Sequence, residues 1–195
     1  MTRRIVRGLA AAVAVGACLA ATSGCDWIVQ QIPSGPTPGT VQPTSTETAQ
    51  EHTMRLDKEA AKNAYVNGWT EMDRLVMAGG ADKPTKKLTD DFSGTYLADN
   101  VEALQLFKKN GWHNDKSAPL RVTADQGWSA SKIELTACED SSKVRTLDRS
   151  GREVNKGGVR LIVQTLVAKK TGDRWKIDSQ TSRPVKTFDN EAGCS

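Results

Sequence analysis

Between Asp57 and Met77 the apolar residues fall at Ala61, Ala64, Tyr65, Trp69, Met72, Leu75 and Val76. These steps of three and four place them on one face of a helix. Asp57 stands where an N-cap or first-turn acid belongs, and Gly79-Gly80 ends the pattern. Pro84 opens a second, short helix reaching about Phe92. Leu97, Val101, Leu104 and Phe107 mark the inner face of a third, from Tyr96 to Lys109, which Asn110-Gly111 stops. The period then shortens to two. Leu120, Val122 and Ala124 alternate, and so do Ile133, Leu135 and Ala137. Val144 to Leu147 is a short run closed by the turn Asp148-Arg149-Ser150-Gly151. Val159 to Ala168 reads as a long strand with two apolar faces, Leu161, Val163 and Val167 on one and Ile162, Leu166 and Ala168 on the other. Thr171-Gly172-Asp173 turns it into Arg174-Trp175-Lys176-Ile177-Asp178, an antiparallel hairpin. Helices first and a meander of strands afterwards predict an α+β domain, its helices packed on one face of an antiparallel sheet.

The chain before this domain follows other rules. Arg3, Arg4 and Arg7 precede an apolar run from Leu9 to Ala21. That run suits a signal peptide and is short of the about 20 residues a membrane-spanning helix needs. It ends in Thr22-Ser23-Gly24-Cys25. Small residues before a cysteine fit a lipoprotein signal peptidase and leave the thiol free to carry a diacylglycerol, so the tetrapeptide resembles a bacterial lipobox, with Thr22 in place of the usual leucine. Ordinary secretion, with cleavage near Ala21 or Gly24, is the competing reading. Residues 33–50 hold four prolines, at 33, 36, 38 and 43, with many threonines and little that is apolar. Such a segment cannot bury enough surface to offset its ordering entropy, and its prolines favour an extended stalk. The organisation expected is a lipoprotein signal over 1–24, a lipidated Cys25 and Pro/Thr-rich tether over 25–54, and one domain over 55–195. Trp27, Ile28 and Val29 are placed to rest in the membrane interface. The acyl chains on Cys25 contribute about 0.8 kcal/mol per buried methylene, which puts the protein on the outer face of the cell membrane.

The net charge of +4 shrinks once the signal is gone, because its three arginines leave 24 basic residues against 23 acidic ones. A nearly neutral domain lacks the electrostatic footprint of a nucleic-acid binder.

The helical stretch Ala64-Tyr65 to Trp69 with Asp73, the segments Cys138-Glu139-Asp140-Ser141-Ser142 and Leu147-Asp148-Arg149-Ser150-Gly151, and the hairpin from Leu161 to Asp178 together resemble the NTF2-like (SnoaL-like, cystatin-like) cone fold. More narrowly they resemble actinobacterial lipoproteins carrying such a domain. The likeness spans about residues 55–190. It implies N-terminal helices on a curved antiparallel sheet, and it implies no function, because this fold hosts isomerases, dehydratases, transport factors and accessory domains.

The residues offer little chemistry. His52 precedes the domain, and His113 lies in the polar loop Trp112-His113-Asn114-Asp115. No histidine pair has metal-ligand spacing and no glycine-rich phosphate loop occurs, so neither metal nor cofactor is expected. Asp73, four residues after Trp69, is a weak candidate for a catalytic acid or base. Desolvation there would raise its pKa, although in the resembled fold an aspartate at this point is common without catalysis. Tyr65, Trp69, Trp128 and Trp175 line either a pocket or a core. Cys18 leaves with the signal and Cys25 takes the lipid, so Cys138 and Cys194 remain in an oxidising compartment, the number one disulfide needs. Such a bond pins the C-terminal tail across the sheet. The expected function is a non-catalytic binding or interaction module of the cell envelope, holding a small apolar ligand or a protein partner. The second apolar face of the long strand suits a homodimer through the sheet. Alternatives are an isomerase or hydro-lyase, which needs a polar dyad the sequence does not reveal, and an envelope protein carried by a phage or other mobile element.

Overall fold

The structure is a computed structural model that describes residues 47–124, 127–154, 160–189, 191, 193 and 194. The signal sequence, Cys25, Trp27 to Val29 and nearly all of the tether lie outside the described residues.

α1 runs from Ala49 to Met77, starting two turns before Asp57. The reason is local. The Thr48 hydroxyl accepts the Glu51 N–H, and the Glu51 carboxylate accepts the Thr48 N–H at 2.8 Å, a reciprocal capping box. Asp57 is therefore not a cap. It is buried inside the helix, and residues 49–54, whose composition suits the tether, form the first helical turns. At the other end Gly80 has φ 86°, and a Cβ there would lie 2.2 Å from the Leu104 carbonyl, so only glycine lets the end of α1 approach the third helix. α2, Lys86–Asp91, is capped by the Thr85 hydroxyl. α3, Gly94–Asn110, ends at Gly111 in the left-handed conformation.

Two short strands follow, β1 (His113–Asn114) and β2 (Leu120–Thr123), then β3 (Lys132–Asp140), β4 (Thr146–Leu147), β5 (Leu161–Thr171) and β6 (Arg174–Pro184). β2-β3-β5-β6 form one antiparallel sheet, and β1-β4 a separate ribbon. His113 thus sits in a strand, paired with Leu147, and not in a loop. The expected start of the long strand at Val159 lies outside the described residues. The fold class is α+β, N-terminal helices on a curved antiparallel sheet, as the sequence implies. A register shift opposite Val167 and Ala168 puts one extra residue into β6, which bends that edge.

The sheet's inner face carries Ile133, Leu135 and Ala137 of β3, Leu166 and Ala168 of β5, and Ile177 of β6, all fully buried. They pack against Tyr65 and Met72 of α1, Leu88 of α2, Phe92, and Tyr96 and Leu104 of α3. Phe92 and Tyr96 meet edge to face at 4.7 Å, with Tyr65 6.2 Å from Tyr96. Hydrogen bonds stitch the α2–α3 junction to β6, the Ser93 N–H donating to the Ile177 carbonyl at 2.7 Å. The outer face holds a smaller apolar cluster, Cys138, Val163 and Cys194 with Val185 and Phe188.

Candidate functional site

Tyr65, Trp69 and Asp73 follow one another at steps of four along α1, which aligns them on the helix. Opposite them the alternation of β3 continues one step past Ala137 and brings Glu139 to the inner face. Gln164 of β5 pairs with Ala137, so its amide is a diagonal neighbour of Glu139. The Tyr65 hydroxyl donates to Gln164 Oε1 at 3.2 Å, and Gln164 Nε2 donates to Glu139 Oε2 at 3.3 Å. A hydrogen-bonded line therefore runs from the aromatic core to the Glu139 carboxyl.

Burial pushes the Glu139 carboxyl up to about 7, the charge of Asp73 pushes it the same way, and the Gln164 amide pulls against both. Burial also raises Asp73, opposed by a hydrogen bond from Ser117. The charge of Asp73 thus opposes loss of the Glu139 proton. Burial raises Tyr65 well above the usual phenol range and pushes Tyr96 up to about 12, so both stay neutral hydroxyls, and that of Tyr65 donates to Gln164. A carboxyl that exchanges its proton near neutrality beside a second carboxyl has the electrostatics of acid–base work.

Asp73 lines a cleft of about 420 Å³ beside α1, with Val66, Trp69, Thr70, Ser117 and Leu120. Leu120 is the cross-strand partner of Glu139. Among the described residues the Trp69 indole N–H is buried without a hydrogen-bond partner. Of the aromatic residues expected at a pocket, only Trp69 borders this cleft. Tyr65 and Trp175, 0% and 4% exposed, are part of the packed core. Aromatic spacing alone cannot separate the two cases, because core and pocket linings share one helical face.

The sequence does not reveal the role of Asp57. Its Oδ1 accepts the Trp175 indole N–H at 2.9 Å and the Lys170 ammonium at 3.1 Å, and its Oδ2 accepts the Trp128 indole N–H at 3.4 Å. The Lys170 ammonium also lies 5.6 Å from the centre of the Trp175 ring. Burial raises this carboxyl, yet the hydrogen bonds from Trp175, Lys170 and Trp128 outweigh it and hold it below the ordinary aspartate range. The arrangement clamps the first half of α1 to the sheet.

Cys138 and Cys194 are disulfide-bonded, their Cα atoms 5.7 Å apart. The bond holds Cys194 on the outer face of β3 and β5, where Val185 and Phe188 also pack. Among the described residues no three histidine, cysteine, aspartate or glutamate side chains gather as a metal site. None of the described helices is long and apolar enough to cross a membrane.

No family model matches the chain, and no curated protein matches it. Among solved structures it is similar to the intermembrane space region of the chloroplast protein ARC6, at 20% identity, over 66% of this chain and 98% of that one, with a TM-score of 0.49. It is also similar to a member of the NTF2-like family from Streptomyces avermitilis, named as a candidate dehydratase, at 15% identity, over 68% and 99%, with a TM-score of 0.45. A third is an NTF2-like protein with a cystatin-like fold from Novosphingobium aromaticivorans, at 12% identity, over 75% and 95%, with a TM-score of 0.39. All three TM-scores lie below 0.5, and nothing about this chain follows from the likenesses.

Proposed function

We propose that the chain is an exported lipoprotein, anchored through Cys25 to the outer face of the cell membrane, whose NTF2-like domain is a binding module and not an enzyme. The observation that carries the binding reading is the filled interior. Tyr65, Phe92, Tyr96 and Leu166, each at most 2% exposed, fill the space between helices and sheet. A cleft lies open along α1, lined by Trp69, Asp73 and Ser117, and suits a small ligand or a segment of an envelope partner. The lipobox-like Thr22-Ser23-Gly24-Cys25 and the Pro/Thr-rich stalk support the address.

Native mass spectrometry of the mature lipoprotein, extracted from its own membranes, tests the module. A bound molecule that is lost on Trp69→Ala supports it. A steady turnover that Glu139→Gln abolishes would replace it with the second reading. For the anchor, Cys25→Ala is expected to block processing and move the protein from the membrane to the soluble fraction. Unchanged processing and retention would sink the lipidation.

The second reading is an isomerase or hydro-lyase. One observation favours it: Glu139, poised to about 7 beside Asp73, supplies the pair of polar groups such chemistry needs.

A further inference from the structure

The outer face of the sheet carries a feature that neither reading uses. Cys138 lies on β3 between its cross-strand neighbours Arg121 and Val163. Both bonded cysteines line a cleft of about 230 Å³ whose other walls include Pro119, Arg121, Asp140 and Phe188. Each bonded cysteine is only 3% exposed, and this cleft is where the pair borders open space. The Arg121 guanidinium stands across the ladder from Cys138 and donates to the Cys194 carbonyl. Among the described residues the strap has further holds beside the bond, the Cys138 Sγ contact to the Gly193 carbonyl included. The Val185 N–H donates to the Leu161 carbonyl at 3.0 Å, Arg183 pairs with Glu191, and Val185 and Phe188 pack on Val163. This cluster is separate from the main core on the opposite face of the sheet.

We propose that the Cys138–Cys194 disulfide is an exchangeable clasp, a site at which a dithiol reductant acts on the folded protein and frees the C-terminal strap from the outer face of the sheet. A thiolate of the reductant, entering by the cleft, attacks Cys194 Sγ. A mixed disulfide forms, the Cys138–Cys194 bond breaks, and Cys138 Sγ leaves as a thiolate beside the Arg121 guanidinium. The second thiol of the reductant, once deprotonated, attacks the mixed disulfide and releases Cys194. Two electrons and two protons pass from the dithiol to the two cysteines, and the reductant becomes a disulfide. The strap then leaves, uncovering Val163 and the row in which Thr123 and Thr136 are paired.

The test treats the mature full-length chain with dithiothreitol at neutral pH without denaturant. Free thiols are trapped by alkylation, and hydrogen exchange is followed by mass spectrometry. The expected result is reduction at a rate within about tenfold of that measured in denaturant, with faster exchange in residues 185–194 and unchanged protection in α1 and β5. Cys194→Ser, which opens the clasp permanently, is expected to show the same exposed strap on the same protected core. Reduction that proceeds only in denaturant overturns the proposal. So does reduction that strips protection from α1 and β5, or a strap that stays protected both in the reduced protein and in Cys194→Ser.

Discussion

Glu139 and Asp57 are both carboxyls taken largely out of water, and their surroundings drive them in opposite directions. Glu139 is raised to about 7, while an unfolded glutamate titrates near about 4.3. Between those values the folded chain binds more protons than the unfolded one, so stability falls as the pH rises. The cost is absent below the unfolded pKa and complete above the folded one. Glu139→Gln is expected to match the natural protein at pH 4 and to exceed it at pH 8 by up to about 4 kcal/mol. Urea unfolding across this range measures it, and a decline that persists in the variant would assign it elsewhere. Asp57 is lowered, so its contribution is present above the unfolded pKa and is lost as the pH falls through the folded one. Asp57→Ala would strand the Lys170 ammonium and two indole N–H groups, at a cost of about 2 kcal/mol at pH 7 in the same assay; a smaller loss at pH 3 than at pH 7 is the expected signature. Glu139 was within reach of the sequence, because it extends the alternation of Ile133, Leu135 and Ala137 by one step. A charged residue at an inward position invites dismissal. Asp57 was not, since its partners Trp128, Lys170 and Trp175 lie 71, 113 and 118 residues away along the chain.

Elements with a buried face declared themselves, and elements without one did not. The inner stripe of α1 was readable because Ala61 to Val76 must meet the sheet. Its first two turns carry no such stripe: Ala49 to Thr53 are exposed, and the helix there rests on the Thr48–Glu51 capping box and on the ion pair of Arg55 with Glu47, at 3.0 Å. β1 and β4, two residues each, are too short to show any period. Gly68 shows how tightly α1 is fitted. A Cβ at this position would lie 2.3 Å from the ring of Phe92, which is itself 1% exposed and has nowhere to retreat. Gly68→Ala gains about 1 kcal/mol in helix propensity and meets an overpacking cost of about 1–3 kcal/mol. A lower denaturation midpoint is expected, and adding Phe92→Leu should restore part of it. A midpoint that rises in the single variant would show that the ring yields.

For the molecule as a whole, the order of helices and strands and the count of cysteines left after the signal lead to the α+β architecture and to the Cys138–Cys194 pair. They do not show how unequally the sheet is covered. The inner face is buried under three helices, whereas the outer face holds one small cluster kept in place by a covalent bond. The bonded cysteines are 56 residues apart in sequence, which in the chain-entropy model is worth about 4 kcal/mol of restriction on the unfolded chain, and commonly less in practice. Replacing both cysteines by serine is expected to lower the stability by about 2–4 kcal/mol while leaving the near-ultraviolet dichroism of the aromatic core unchanged. Loss of that dichroism would mean that the strap supports the inner layer as well.

The clamp around Asp57 also makes the protein its own optical instrument. Two indoles, from Trp128 and Trp175, converge on one carboxylate and meet there only while α1 lies against the sheet. Any event that lifts the front of the helix, whether a tug along the chain or an arriving partner, moves both rings toward water at once. With Trp27, Trp69 and Trp112 replaced by phenylalanine, the emission of the remaining pair would follow the seating of α1 in real time without an added label.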